Sequence, residues 1–101
     1  MIIYNVTLSI HPQIETEVIA WLKSEHIPEV LATGLFIEHK IFKVLESPRA
    51  PMHNSFAIQY ILESWDKFDE YTEKHAPALK AKTQEKYGDN VLAFRTFLEK
   101  I

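Results

Sequence analysis

Cysteine is absent from this sequence, and glycine occurs only at Gly34 and Gly88. Without thiols there is no disulfide framework, Cys-ligated zinc, iron–sulfur cluster or thiol nucleophile. That fits a reducing compartment, and a cytoplasmic location is expected. Two glycines far apart cannot form a glycine-rich phosphate cradle. Long apolar runs are missing as well, none approaching the ~20 residues needed to span a bilayer. The opening MIIYNVTLSI lacks a basic region and is interrupted by Asn5, Thr7 and Ser9, so it does not read as a signal peptide. Excess positive charge is also lacking. The net charge of −3 gives no reason to expect nucleic acid or a membrane surface as partner.

What is present is ordinary for a globular chain: 47% hydrophobic and 25% charged residues over 101 positions. The length points to one domain spanning residues 1–101. Folding at this size buries roughly 60–70% of the unfolded surface, enough for a core without metal or disulfide.

Alternation with period two marks four strands: Ile2 to Ile10, about Phe36 to Glu46, His53 to Glu63, and Val91 to Lys100. In each, the even positions carry the greasier side and are expected to face the core. These include Tyr4, Val6 and Leu8, then Phe42 and Val44, then Phe56, Ile58 and Tyr60, then Leu92, Phe94 and Leu98. The odd side is mixed, with Asn5, Thr7, His39, Lys43, Ser55, Gln59, Arg95 and Phe97.

Two helical stretches separate these strands. Pro12 suits a first helical position, and Ile14, Val18, Trp21, Leu22 and Glu25 follow at helical spacing. The second helix starts at the N-cap candidate Ser64, carries Trp65, Phe68, Thr72, His75, Leu79 and Lys82 on one stripe, and stops at Gly88. Ser47 to Met52 reads as a loop. Both tryptophans are expected in the core.

An internal echo relates the halves: Leu22-Lys-Ser-Glu-His26-Ile-Pro28-Glu-Val30 is matched by Tyr71-Thr-Glu-Lys-His75-Ala-Pro77-Ala-Leu79. A proline inside a helix removes one backbone bond and pushes on the carbonyl four residues back, so each helix should kink or restart there. Two such βαβ halves joined through a hairpin give an α+β, ferredoxin-like β-α-β-β-α-β sandwich of antiparallel sheet order 4-1-3-2. Helices cover one face. The other, with Ile37, Ile41, Ile61 and Phe97 among polar groups, is too apolar for open water, so a homodimer packed sheet to sheet is expected.

The segments MIIYNVT, EHIPEVLATGLF, KHAPALKAK and VLAFRTFLE resemble an uncharacterised bacterial domain-of-unknown-function family over nearly the whole chain. The resemblance implies a dimeric α/β-barrel form of the ferredoxin-like fold and no particular activity. More distantly, the architecture is similar to antibiotic-biosynthesis monooxygenases and related small cofactor-free enzymes, whose ligands sit between sheet and helices. Fold alone does not carry their chemistry over.

Several activities of this topology are excluded. An RNA-recognition domain needs aromatics on the exposed face of its third strand, whereas Phe56 and Tyr60 have core parity. Acylphosphatase-like chemistry needs the missing glycine cradle. Metal carriers of this topology need paired cysteines, and amino-acid sensors usually place glycine where this chain has His11-Pro12-Gln13.

Five histidines, at positions 11, 26, 39, 53 and 75, show no metal-ligand spacing, so neither metal nor cofactor is expected. His26 and His75 are explained either as rings satisfying backbone freed by the following proline or as acid–base groups at a cleft mouth. The first explanation is preferred. Arg95, expected to be buried on the odd face beside Asn5, Thr7, His39 and Gln59, needs a partner. Either Glu38 or Glu99 across a dimer supplies it, the preferred reading, or an anionic small molecule does. Three functions follow: a small-molecule-binding homodimer, a cofactor-independent monooxygenase or isomerase, or an interaction module whose cavity is packed solid.

Overall fold

A computed structural model describes residues 1–45 and 54–101. His53, Glu46 and the expected loop from Ser47 to Met52 lie outside the described residues. Strand β1 (Ile2–Ile10) leads through a 3-10 turn (Pro12–Ile14) into α1 (Glu15–Trp21), a π-helical turn (Leu22–His26) and α2 (Ile27–Leu31). Then come β2 (Glu38–Lys43), β3 (Asn54–Leu62), α3 (Trp65–Lys74), α4 (Ala76–Tyr87) and β4 (Val91–Glu99). The four-stranded antiparallel sheet has the order β2-β3-β1-β4, which is the expected ferredoxin-like order read from the other edge.

Both prolines interrupt their helices, by different means. Ahead of Pro28 the chain widens, and the Ile27 amide donates to the carbonyl of Leu22, five residues back. One extra residue enters the turn, which lets the strand of apolar side chains stay on the core while the proline passes. Buried positions therefore run Val18, Leu22, Ile27, Val30, with a step of five where a regular helix has three or four. Glu25, expected on this stripe, is exposed for that reason. At the second site the helix breaks outright. His75 leaves helical geometry (φ −123°, ψ −41°) and α4 restarts with Pro77 in its first turn, where proline's missing donor costs little. Ser64 caps α3 by accepting from the Lys67 amide, and Gly88 ends α4 at φ +55°, a conformation that favours glycine.

The core lies between helices and sheet. Ile10, Val18, Leu22, Ile27, Val30, Ile58 and Leu62 are its most deeply buried members. In β1 and β3 the even positions face it, as expected. In β2 and β4 the parity is reversed. Antiparallel partners point to the same side of a sheet, and Tyr4 pairs with Phe97, Val6 with Arg95, Tyr60 with His39 and Ile58 with Ile41. Arg95, Phe97, His39 and Ile41 thus share the helix side, while Phe42, Leu92, Phe94 and Leu98 share the bare side with Asn5, Thr7 and Gln59. Phe94 is 62% and Phe42 48% exposed. The greasier side of an edge strand is the bare one here, because that face is itself apolar. Trp65, expected in the core, is 53% exposed at the start of α3, where it packs edge-on against Phe97.

Candidate functional site

A cleft of about 340 Å³ opens between the helix side of the sheet and the two kinked helices. That volume sits at the small end of the ~300–1,000 Å³ typical of ligand pockets. It is not packed solid, as a purely structural module would require. Its floor comes from β1 and β3 through Val6, Leu8 and Ile58, and its roof from Leu22, Val30 and Leu79. Val30 and Leu79 are the matched residues two positions after each proline of the echo. The helix interruptions therefore aim equivalent apolar side chains at one space.

Polar groups gather within this apolar shell. Tyr4, Tyr60 and Tyr71 line the cleft with Trp21, His26 and Arg95. Tyr4 and Tyr60 stand across the β1–β3 pair, with ring centres 6.3 Å apart, and Tyr71 reaches them from α3, its ring 6.2 Å from that of Tyr4. The Tyr60 residue is only 3% exposed, and its hydroxyl finds no hydrogen-bond partner among the described residues. A buried hydroxyl normally has one. Burial raises the pKa of all three phenols and so suppresses their ionisation. Tyr71 is pushed up to about 12 by burial and by Tyr4, with Arg95 opposing. Tyr60 is raised by burial and by Tyr71 and Tyr4. Tyr4 is raised by burial, with the charge of Arg95 and its hydrogen bond to the hydroxyl opposing. Near neutral pH these hydroxyls are therefore uncharged donors.

His26 follows from the wide turn, which ends at this residue and turns its ring onto Trp21, with centres 4.8 Å apart and planes within 25°. Its pKa is lowered from 6.5, first by burial and then by Arg95 and Lys82, against the pull of Glu29. The ring is a neutral imidazole at neutral pH. Lys82 in turn holds Glu29 at 2.9 Å, linking α4 to α2 beside the cleft.

The sequence-derived candidates separate into two groups. His26 and Arg95 meet in the cleft. Asn5, Thr7 and Gln59 lie on the opposite side of the sheet, where the Asn5 amide donates to Thr7 Oγ1 at 3.4 Å and to Thr96 Oγ1 at 3.1 Å. His39 sits exposed on edge strand β2, on the helix side but outside the cleft lining, and His75 also stands outside it, stacked on Tyr71. The expected grouping of Arg95 with Asn5, Thr7, His39 and Gln59 fails because β4 turns its odd positions toward the helices. For the same reason Glu38, on the bare side, is no partner for Arg95. The guanidinium is also exposed rather than buried, and no carboxylate ion-pairs with it among the described residues. The tyrosines escaped the sequence reading, although phenols at core positions of adjacent strands carry a signal: their hydroxyls must end somewhere polar. Among the described residues no group of three or more His, Asp or Glu side chains could hold a metal ion, and no helix is long and apolar enough to cross a membrane.

A family model described as a domain of unknown function, DUF4286, matches residues 1–101. No curated protein matches the chain. Solved structures do. An ethyl tert-butyl ether D (EthD) family protein from Bacillus halodurans C-125 is 13% identical, with a TM-score of 0.70 and complete coverage of both chains. HapK from Hahella chejuensis is 10% identical with a TM-score of 0.71, covering 100% of this chain and 93% of that one. A dimeric ferredoxin-like protein from an uncultured marine organism is 15% identical with a TM-score of 0.63, covering 100% and 97%. At such identities the likeness is one of fold.

Proposed function

The chain belongs to the DUF4286 family, a domain of unknown function, and from that premise we propose that it is a homodimeric binding protein for a small organic molecule held between sheet and helices. The observation that carries the reading is the Tyr60 residue, deeply buried, its hydroxyl without a partner among the described residues, in the wall of a cleft lined largely by apolar and aromatic side chains. A ligand oxygen or nitrogen completes it. The homodimer is supported by the bare side of the sheet, where Leu92, Phe94 and Leu98 stand exposed along edge strand β4 and Phe42 on the opposite edge strand β2, and by the dimeric ferredoxin-like neighbour. Apolar patches of this kind mark interfaces. Asn5, Thr7 and Gln59 then belong to the dimer contact rather than to the ligand.

A metabolite screen by thermal shift tests the cleft. Thr83 lines it at half-buried depth on α4, so Thr83→Trp fills its space without touching the deep core. Ligands that raise the melting temperature of the native chain are expected to leave Thr83→Trp unmoved. Hits that stabilise both equally would remove the cleft from consideration.

A second reading rests on His26. A neutral imidazole sharing a cleft with a guanidinium and phenol donors can accept a proton while the donors stabilise the developing oxyanion. That is the arrangement of a cofactor-independent isomerase. Exchange of a bound ligand's carbon-bound hydrogen in heavy water, abolished by His26→Gln at unchanged affinity, would select catalysis over binding.

A further inference from the structure

The cleft is electrically unlike the chain that forms it. Acidic residues outnumber basic ones by 14 to 11 over the sequence, yet among the described residues no Asp or Glu lines the cleft, while Arg95 and Lys80 do. Both cations stand exposed at the mouth, Arg95 on edge strand β4 and Lys80 on α4. Uncharged donors lie deeper, on Tyr4, Tyr60 and Tyr71. The remaining walls are mostly aliphatic, with the flat indole of Trp21, its partner His26, and the uncharged Thr83 and Gln84 on α4. Positive charge at the rim, hydroxyl donors below and planar walls describe the complement of one kind of molecule.

We infer that the cleft selects an aromatic monocarboxylate, with its carboxylate at Arg95 and its ring among the apolar and aromatic walls. The inference rests on the small-molecule reading given above and adds the ligand's class. Arginine suits the task because its planar fork matches a carboxylate through two parallel hydrogen bonds. The volume limits the ring system to one or two fused rings. Dicarboxylates and phosphorylated molecules are disfavoured, because the deep groups carry no charge to match a second anion. Tyr60 takes a ligand hydroxyl or carbonyl at the inner end. Exposure of Arg95 weakens its pull through solvent screening, so the preference for an anion is moderate.

Isothermal titration with three probes of one shape tests this: 1-naphthoate, neutral 1-naphthamide and cationic 1-naphthylmethylamine. Naphthoate is expected to bind about tenfold more tightly than the amide, with the amine weakest. In Arg95→Gln the preference for acid over amide should fall to about twofold or less, while amide affinity stays put. Because Arg95 is exposed on an edge strand, the substitution spares the core, and Lys80→Gln provides a second variant expected to lower naphthoate affinity less. Equal binding of acid and amide overturns the anion assignment and leaves the cleft standing. An undiminished preference in Arg95→Gln overturns the role of Arg95. Failure of all three probes overturns the aromatic class, while the Thr83→Trp screen judges the cleft independently.

Discussion

Gln59 and Tyr60 are neighbours in β3, yet they answer to different surroundings. Tyr60 points under the helices, where burial suppresses ionisation of its phenol and a cleft opens against it. Gln59 points to the other side, opposite Asn5 and Lys40 in the sheet register, on a face no helix covers. The covered side is closed within one chain and keeps its polar groups in a pocket. The bare side is rich in large apolar side chains at its edges, with the Asn5–Thr7–Thr96 hydrogen bonds near its centre. On the proposed function, a single sheet divides two tasks, ligand contact on one side and subunit contact on the other. Hydrophobicity by itself does not tell the sides apart.

Three substitutions sharpen or break this contrast. Ile58→Ala, on the covered side at 1% exposure, should cost about 2–5 kcal/mol through lost burial and the cavity left behind, read from urea melts. A loss below about 1 kcal/mol would mean the covered side is not the closed core described here. Phe94→Asp, on the bare side, should weaken the dimer by about a hundredfold, since it buries an unpaired charge at the contact, and sedimentation velocity over a dilution series measures it. The resulting monomer should keep its fold, and an unaltered dimer would move the interface elsewhere.

The smallest effect concerns His26. Its folded pKa lies below the unfolded value of 6.5, chiefly through burial and secondarily through Arg95 and Lys82, with Glu29 opposing. Between those two values the unfolded chain binds more protons, so stability rises with pH across the window and is lost as pH falls through it. Above 6.5 the histidine contributes no slope. Comparing melting curves of the native chain and His26→Gln should show the two converging in pH dependence near neutrality and diverging only in mild acid. Parallel curves throughout would place His26 in open solvent.

Much of the architecture was legible because its signals are local. Ile2 to Ile10 alternates cleanly, Ser64 and Gly88 punctuate α3 and α4, and the two prolines announce broken helices. The facing of β2 and β4 was not. Both are edge strands with less helix cover, and the register with β1 and β3 decides which side of them lies inward. Leu92, Phe94 and Leu98 looked like core because an exposed apolar face and a core draw on the same residues. The site inherited this error. His26 and Arg95 were singled out, but Arg95 was given the companions of the wrong face, and Tyr4, Tyr60 and Tyr71 were read only as bulk. Their hydroxyls come together through pairing distant in sequence, which periodicity does not reveal.

The wide turn at Leu22–His26 carries a consequence for comparing this chain with its relatives. An added residue in a regular helix would advance everything after it by about 100°, and here the wide turn absorbs that advance, which keeps Ile27 and Val30 on the side set by Val18 and Leu22. The spacing between the second and third of these apolar positions is accordingly a countable marker. A relative that spaces them by four winds without the bulge, needs a gap in any alignment there, and presents a different side chain where this chain offers an imidazole.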